Sequence, residues 1–135
     1  MNRRLIAAGA GIAAVAGAVY LMHRPTEFTS TGTLSLTTDV GGIYADSGLC
    51  TGIGGYADIR AGSPVTVSDD AGRTLTQGVL AVGVGTDTEC VFGWTVTVPA
   101  GPGFYRVAVG HRNGLVLPSA ELRAGHVGIT LGSLS

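Results

Sequence analysis

Two residues in this chain can form a covalent bond with each other, because Cys50 and Cys90 are its only cysteines. In a chain that leaves the cytoplasm, an even pair is typical of a structural disulfide. A redox pair would instead have the C-x-x-C spacing, which is absent here. Closing a loop of about 40 residues stabilises a fold by roughly 4 kcal/mol. We therefore predict a disulfide between Cys50 and Cys90.

A glycine-rich segment, residues 52–55, has the composition of a phosphate-binding loop. Such a loop works because the N-terminus of a helix follows it and directs backbone N–H groups at the phosphate. Here residues 56–59 follow, and their pattern predicts a strand. The chain also has no lysine. The segment is expected to be a tight turn beside the disulfide, and we assign it no cofactor.

No other set of side chains has the spacing of a catalytic or metal site. His111 and His126 are the only histidines beyond the N-terminal segment, whereas zinc takes three or four ligands. The acidic residues are scattered and lack the spacing of a calcium loop. Serines such as Ser63 occur outside any G-x-S-x-G motif. We predict no metal ion and no catalytic residue, and keep a small envelope hydrolase only as an alternative.

The first 25 residues are predicted to be a targeting or membrane segment. Two arginines precede an uncharged run, residues 5–22, and Arg24 follows it. As a helix this run is about 27 Å long, close to the ~30 Å hydrocarbon core of a bilayer. Because more positive charge precedes the run than follows it, the rest of the chain is expected outside the cytoplasm. We predict a single-pass anchor in the cell membrane. Cleavage at a small-x-small site within residues 14–18 would instead give a secreted protein.

The exported part of the chain is acidic. Residues 26–135 contain five arginines and nine Asp or Glu residues, a formal charge of −4. A domain without a basic patch cannot neutralise a phosphate backbone. Nucleic acid is therefore excluded as a partner. The partners that remain are the membrane, through the N-terminal helix, and a protein or lipid of the cell envelope.

The composition of residues 26–135 predicts an all-β fold. This part contains 13 Val and 15 Thr with 20 Gly between them, which is strand composition interrupted by turns. Apolar and polar residues alternate over residues 33–37, 64–68, 90–98, 105–109 and 127–131. About seven short strands at this spacing indicate a β-sandwich. We predict a linker over residues 26–32 and a sandwich domain over residues 33–135.

The longest predicted strand also predicts the core. In residues 90–98 every second side chain from Cys90 is apolar, so Trp94 is expected to face the gap between two sheets. One helical turn is expected over residues 119–124, with Ser119 as its cap and Gly125 as its left-handed stop.

Two segments resemble known proteins. The hairpin of residues 62–75 resembles the G-x-x-V-x-V-x-D-x-x-G hairpin of transthyretin-like and immunoglobulin-like sandwiches. Residues 50–59 have the motif C-x-G-x-G-G-Y-x-D-I, with which the chain resembles a group of small exported actinobacterial proteins of the mycobacterial type. The resemblance implies a compartment and a fold, and no activity.

A recognition surface is predicted over residues 44–56, which are rich in glycine and lack strand alternation. Its candidate contact residues are Tyr44, Leu49, Ile53 and Tyr56. Anchored by Cys50, such a loop would lose little ordering entropy on binding. The alternative is that these side chains only cover one end of the sandwich.

Together these features predict a non-catalytic protein of the cell envelope with a binding or structural role. An accessory subunit of a membrane complex, such as a lipid exporter, is the first alternative.

Overall fold

A computed structural model describes residues 26–39 and 41–132 of the chain. Within them it has ten β-strands, one short α-helix and a 3₁₀ turn over Gly54–Tyr56. The strands are β1 (Glu27–Thr37), β2 (Ile43–Asp46), β3 (Leu49–Gly52), β4 (Pro64–Asp69), β5 (Thr74–Val79), β6 (Gly83–Gly85), β7 (Glu89–Pro99), β8 (Phe104–Val109), β9 (Leu115–Pro118) and β10 (Val127–Gly132). The helix, α1, spans Ser119–Ala124.

The strands form two sheets. One has six strands in the order β10-β1-β7-β6-β3-β2, and the other has four in the order β5-β4-β8-β9. All neighbours are antiparallel except β1 and β10, which are parallel. The predicted all-β, two-sheet fold is confirmed. The structure has more strands than the seven predicted because β2, β3, β6 and β9 have only three or four residues each. That length is too short for alternation to identify them.

Side chains from both sheets form a single core. In β7, the side chains that alternate from Cys90 to Val98 are all buried, and Trp94 is only 4 % exposed. The predicted inner face of this strand is therefore confirmed. From the four-stranded sheet, the valines of β4 and β8 pack against it together with the buried Tyr105.

The predicted linker is wrong, because β1 already begins at Glu27 and pairs with the end of β7. The expected anchor, residues 1–25, lies outside the described residues. Among residues 26–39 and 41–132, no helix is both long and apolar enough to cross a membrane.

The predicted helical turn is confirmed as α1, and Gly125 ends it in the left-handed conformation with φ 77°. The predicted cap is wrong. Pro118 occupies the N-cap position, and the Ser119 hydroxyl instead accepts a hydrogen bond from Nε of Arg123, at 3.3 Å. The helix is held to β1 by the buried Ser30 hydroxyl, which donates to the Leu122 carbonyl at 2.8 Å.

The predicted disulfide is confirmed between Cys50 in β3 and Cys90 in β7. Both strands belong to the six-stranded sheet, and the three-residue strand β6 lies between them. The bond therefore joins two strands of one sheet across a short third strand, and leaves the two sheets unlinked by disulfide.

Two local expectations near the disulfide are wrong. Residues 56–59 are not a strand, because the 3₁₀ turn ends at Tyr56 and a further turn follows over residues 57–58. Residues 44–56 are mostly a hairpin of β2 and β3, not a segment without strand structure. The hairpin turns at Ser47 and Gly48, with φ of 56° and 84°. Two positive φ values in a two-residue turn suit the right-handed twist of the flanking strands.

Candidate functional site

A hollow of about 650 Å³ is lined by residues of three catalytic types, Asp58, Ser63 and His111. In the described residues their contacts are not those of a Ser-His-Asp triad. The Ser63 hydroxyl donates to the Asp58 carbonyl at 2.6 Å and accepts the Arg60 N–H at 3.0 Å, so it fixes the turn. The Asp58 carboxylate accepts the backbone N–H of His111, at 3.4 Å, and not its ring. Ser63 therefore does not hydrogen-bond to the His111 ring, and the Asp58 carboxylate does not hold that ring, as both would in a triad for acyl transfer.

The Asp58 side chain is held by Arg112. The guanidinium donates to both carboxylate oxygens, from Nη2 at 2.8 Å and from Nε at 3.2 Å. Partial burial alone would raise the pKa of Asp58, but the hydrogen bonds and charge of Arg112, with the His111 N–H, outweigh it and lower the pKa below its ordinary value. This pair joins the β8–β9 connection to the turn after β3.

Tyr56 belongs to the same structural cluster. Its side chain is half-buried and packs against the core. The Arg112 guanidinium lies over its ring, 5.0 Å from the centroid, and also donates to the Gly55 carbonyl at 2.7 Å. Of the four predicted contact residues, Tyr56 is therefore the one that is half-buried and contacts Arg112.

The other three predicted residues are exposed and share one face of the six-stranded sheet with two valines that the sequence analysis missed. We call these five side chains the apolar patch, and each is between 40 and 59 % exposed. The apolar patch consists of Tyr44, Leu49, Ile53, Val82 and Val84.

Strand pairing places part of this patch on one face. Leu49 of β3 pairs with Val84 of β6, and Tyr44 of β2 pairs with Thr51, two residues after Leu49. Because paired residues and residues two apart point to the same side of a sheet, these side chains all face outward.

The remaining two members lie one residue outside the strands. Ile53 donates its N–H to the Gly42 carbonyl at 2.9 Å, which continues the pairing of β2 and β3. Val82 directly precedes β6, where the Ala81 N–H donates to the Gly93 carbonyl at 2.8 Å, one residue out of the register of β6 and β7. Val82 belongs to the patch by its exposure of 54 % next to the inward-facing Gly83.

The valines face outward because the inner face has no room for them. Gly83 lies between Val82 and Val84 and faces the core. A Cβ atom on Gly83 would stand 2.6 Å from the Sγ atom of Cys90 and 2.6 Å from the ring of Phe92. The only sequence signal for this was the alternation of valine with glycine over residues 82–85. Hydrophobicity alone would have directed the valines inward.

The charged residues in the strands of this sheet are all acidic. Asp46 is paired with Leu49 on the outer face of the sheet, and Glu89 lies two residues before Val91 on the same face. All five arginines of the described chain lie outside the strands of this sheet. Neither carboxylate forms a salt bridge with any described residue.

No group of three His, Cys, Asp or Glu side chains that could hold a metal ion occurs within the described ranges. No protein-family model, curated protein or solved structure matches the chain.

Proposed function

We propose that this chain is a non-catalytic binding module of the cell envelope, tethered to the membrane, and that the apolar patch is its binding surface. The observation that carries the proposal is the exposure of Tyr44, Leu49, Ile53, Val82 and Val84 together on one face. We place the exposed area on the order of 400 Å², in the range of roughly 300–600 Å² within which the largest patch of a monomer is often functional.

The rigidity of the surface supports the same role. Cys50 lies next to Leu49 in β3, and its disulfide fixes that strand to the long central strand β7. A surface held in place before a partner arrives loses less conformational entropy on binding. The disulfide also supports a location outside the cytoplasm, where such bonds persist.

The connection to the proposed anchor supports an accessory role in a membrane complex. If residues 5–22 span the membrane, only residues 23–26 separate the span from β1, which begins at Glu27. A tether this short keeps the domain at the membrane surface, within reach of other membrane proteins. An accessory subunit of a lipid exporter is one form that this role would take. Secretion after cleavage is the alternative.

We further propose that the sandwich is of the transthyretin-like or immunoglobulin-like kind, on the strength of the hairpin formed by β4 and β5. In antibody domains the disulfide joins the two sheets, whereas Cys50 and Cys90 lie in one sheet. The proposed similarity therefore does not include the disulfide. Membership of the actinobacterial group is also proposed. Its motif supplies Cys50 to the disulfide, and Tyr56 and Asp58 to the contacts with Arg112.

Photo-crosslinking in intact cells tests the proposed function. A photoreactive amino acid at position 84 should give covalent adducts of defined mass in the membrane fraction. The same amino acid at position 79, which is equally exposed on the other sheet, should give none of them. Identical adducts from both positions, or none from position 84, would contradict a binding role of the patch.

A further inference from the structure

The apolar patch has a definite size. From the level of Ile53 to that of Leu49 is four residues along β3, or about 13 Å. From β2 to β6 is two strand spacings, or about 10 Å. An α-helix is about 10 Å wide and needs about nine residues to cover 13 Å. The patch therefore has the footprint of two to three turns of a helix lying along the strands.

The carboxylates lie at one end of that footprint. Asp46 pairs with Leu49. Glu89 lies on the same face of β7, two residues before Val91, which is the partner of Val84. No strand of this sheet contains a basic residue, and neither carboxylate forms a salt bridge with a described residue. A partner that covers the apolar side chains must therefore meet two carboxylates that no described residue neutralises.

The distance between the apolar patch and the start of β1 argues against membrane lipid as the binding partner. Leu49 pairs with Val84, Val84 pairs with Val91, and Val91 pairs with Ser35 of β1, so these residues lie in one row across the sheet. Ser35 is eight residues after Glu27, at which β1 begins. Eight residues of strand are about 26 Å long. If the chain leaves the membrane just before β1, and β1 runs along the membrane normal, most of the patch lies beyond the headgroups.

Charge argues against a second copy of this chain. Two copies joined through the patch would bring Asp46 and Glu89 of both together, with no arginine in the strands of either sheet face to offset them. Like charges brought together in this way oppose association.

We propose that the apolar patch binds a short amphipathic helix of a partner protein, with apolar side chains at i, i+3 or i+4, and i+7, and with Lys or Arg at the end that meets Asp46 and Glu89. This rests on the proposed binding role of the patch and names the chemistry of the partner. In this mode of recognition an amphipathic helix lays its apolar side chains on the patch, so that apolar area gives affinity and charge fixes the direction of the helix.

A random peptide library displayed on phage tests this proposal. The full chain in detergent micelles is the bait, and the Val84→Asp full chain is the counter-selection. The peptides recovered should combine helical apolar spacing with a terminal Lys or Arg. For the synthesised consensus peptide, Val84→Asp should weaken binding at least tenfold. Asp46→Asn with Glu89→Gln should weaken it three- to tenfold, more at low salt. Val79→Asp should leave it unchanged.

Each other outcome separates the two proposals. The helix proposal would be overturned, and the binding function retained, by peptides that need Val84 for binding but lack basic residues. Peptides whose affinity is unchanged by Asp46→Asn with Glu89→Gln would have the same meaning. Failure to recover any peptide that Val84→Asp weakens would overturn both.

A full chain that is dimeric, and becomes monomeric on Val84→Asp, would assign the patch to a second copy. Selection that succeeds only after residues 1–25 are removed would assign it to that segment. If Val84→Asp fails to fold, Leu49→Asp replaces it.

Discussion

Gly83 faces the core directly against the disulfide sulfur of Cys90, and this contact turns the two neighbouring valines outward. The 2.6 Å that would separate a Gly83 Cβ atom from Sγ leaves no room for any side chain there. Because side chains alternate along a strand, an inward Gly83 requires an outward Val82 and Val84. The close packing around Gly83, to which the Cys90 sulfur, the Cys50 carbonyl and the Phe92 ring contribute, thus leaves the valines on the exposed face.

Gly83→Ala should therefore destabilise the domain. The added methyl group meets the Cys50 carbonyl oxygen at 2.5 Å as well as the sulfur of Cys90, and overpacking of this kind costs about 1–3 kcal/mol. Urea denaturation measures the loss. Gly128→Ala in β10 is the matched control, because a Cβ atom there has nothing within 4 Å. Equal stability of the two variants would show that the strand β6 shifts easily and does not fix the valines.

Removing the disulfide should cost about 2–5 kcal/mol, because it closes a loop with a sequence separation of 40 residues. The double variant Cys50→Ala with Cys90→Ala avoids a lone thiol, and its unfolding free energy is compared with that of the oxidised wild type. Reduction of the wild type should reproduce the loss, and reduction of the variant should change nothing. Two free thiols in denatured, unreduced protein from the cell envelope would contradict the pairing itself.

Most of the fold was predictable because it depends on long alternating strands. The strand that contains Cys90 and Trp94 is eleven residues long, and its buried face repeats every second residue. Strands such as β6 were not predictable, because their pairing depends on contacts distant in sequence. The start of β1 was missed for the same reason, since residues 27–32 are strand only because they pair with the end of β7.

The Asp58–Arg112 pair should make stability depend on pH. The pKa of Asp58 is lowered in the folded state, so its contribution to stability is complete above the unfolded value near pH 4 and is lost as the pH falls through the folded value. Asp58→Asn should lower the unfolding free energy at pH 7 by about 1–3 kcal/mol. Its difference from the wild type should shrink at pH 2.5.

Denaturation at the two pH values checks this prediction. Asp70→Asn, in the exposed turn between β4 and β5, is the control and should leave the unfolding free energy nearly unchanged at both. A difference between Asp58→Asn and the wild type that is the same at pH 7 and pH 2.5 would mean that the ionised pair does not carry the effect.

The direction of membrane insertion is a separate prediction. Because positive charge is concentrated before residues 5–22, a reporter fused after Ser135 that works only in the cytoplasm should be inactive. Replacing both Arg3 and Arg4 by Ser should weaken this orientation and restore part of the reporter signal. An active reporter on the unaltered chain would contradict export of the domain.

The candidate site was predictable only in part. Tyr44, Leu49 and Ile53 drew attention as apolar residues in a glycine-rich stretch, and all three are exposed on one face. Tyr56 belongs to the same stretch, but its partner Arg112 is distant in sequence and no local pattern indicates the contact. Val82 and Val84 were missed because hydrophobicity predicts burial, whereas the close packing around Gly83 leaves no room for them on the inner face.

The patch variant Leu49→Ser with Val84→Ser tests the central claim most directly, with photo-crosslinking from position 82 as the readout. The variant should abolish the adduct while its unfolding free energy stays within about 1 kcal/mol of the wild type, because both side chains are already exposed. Val79→Ser with Val116→Ser, on two strands of the other sheet, should leave the adduct intact. An adduct that persists in the patch variant, or a loss of several kcal/mol in its stability, would contradict the assignment of this surface to binding.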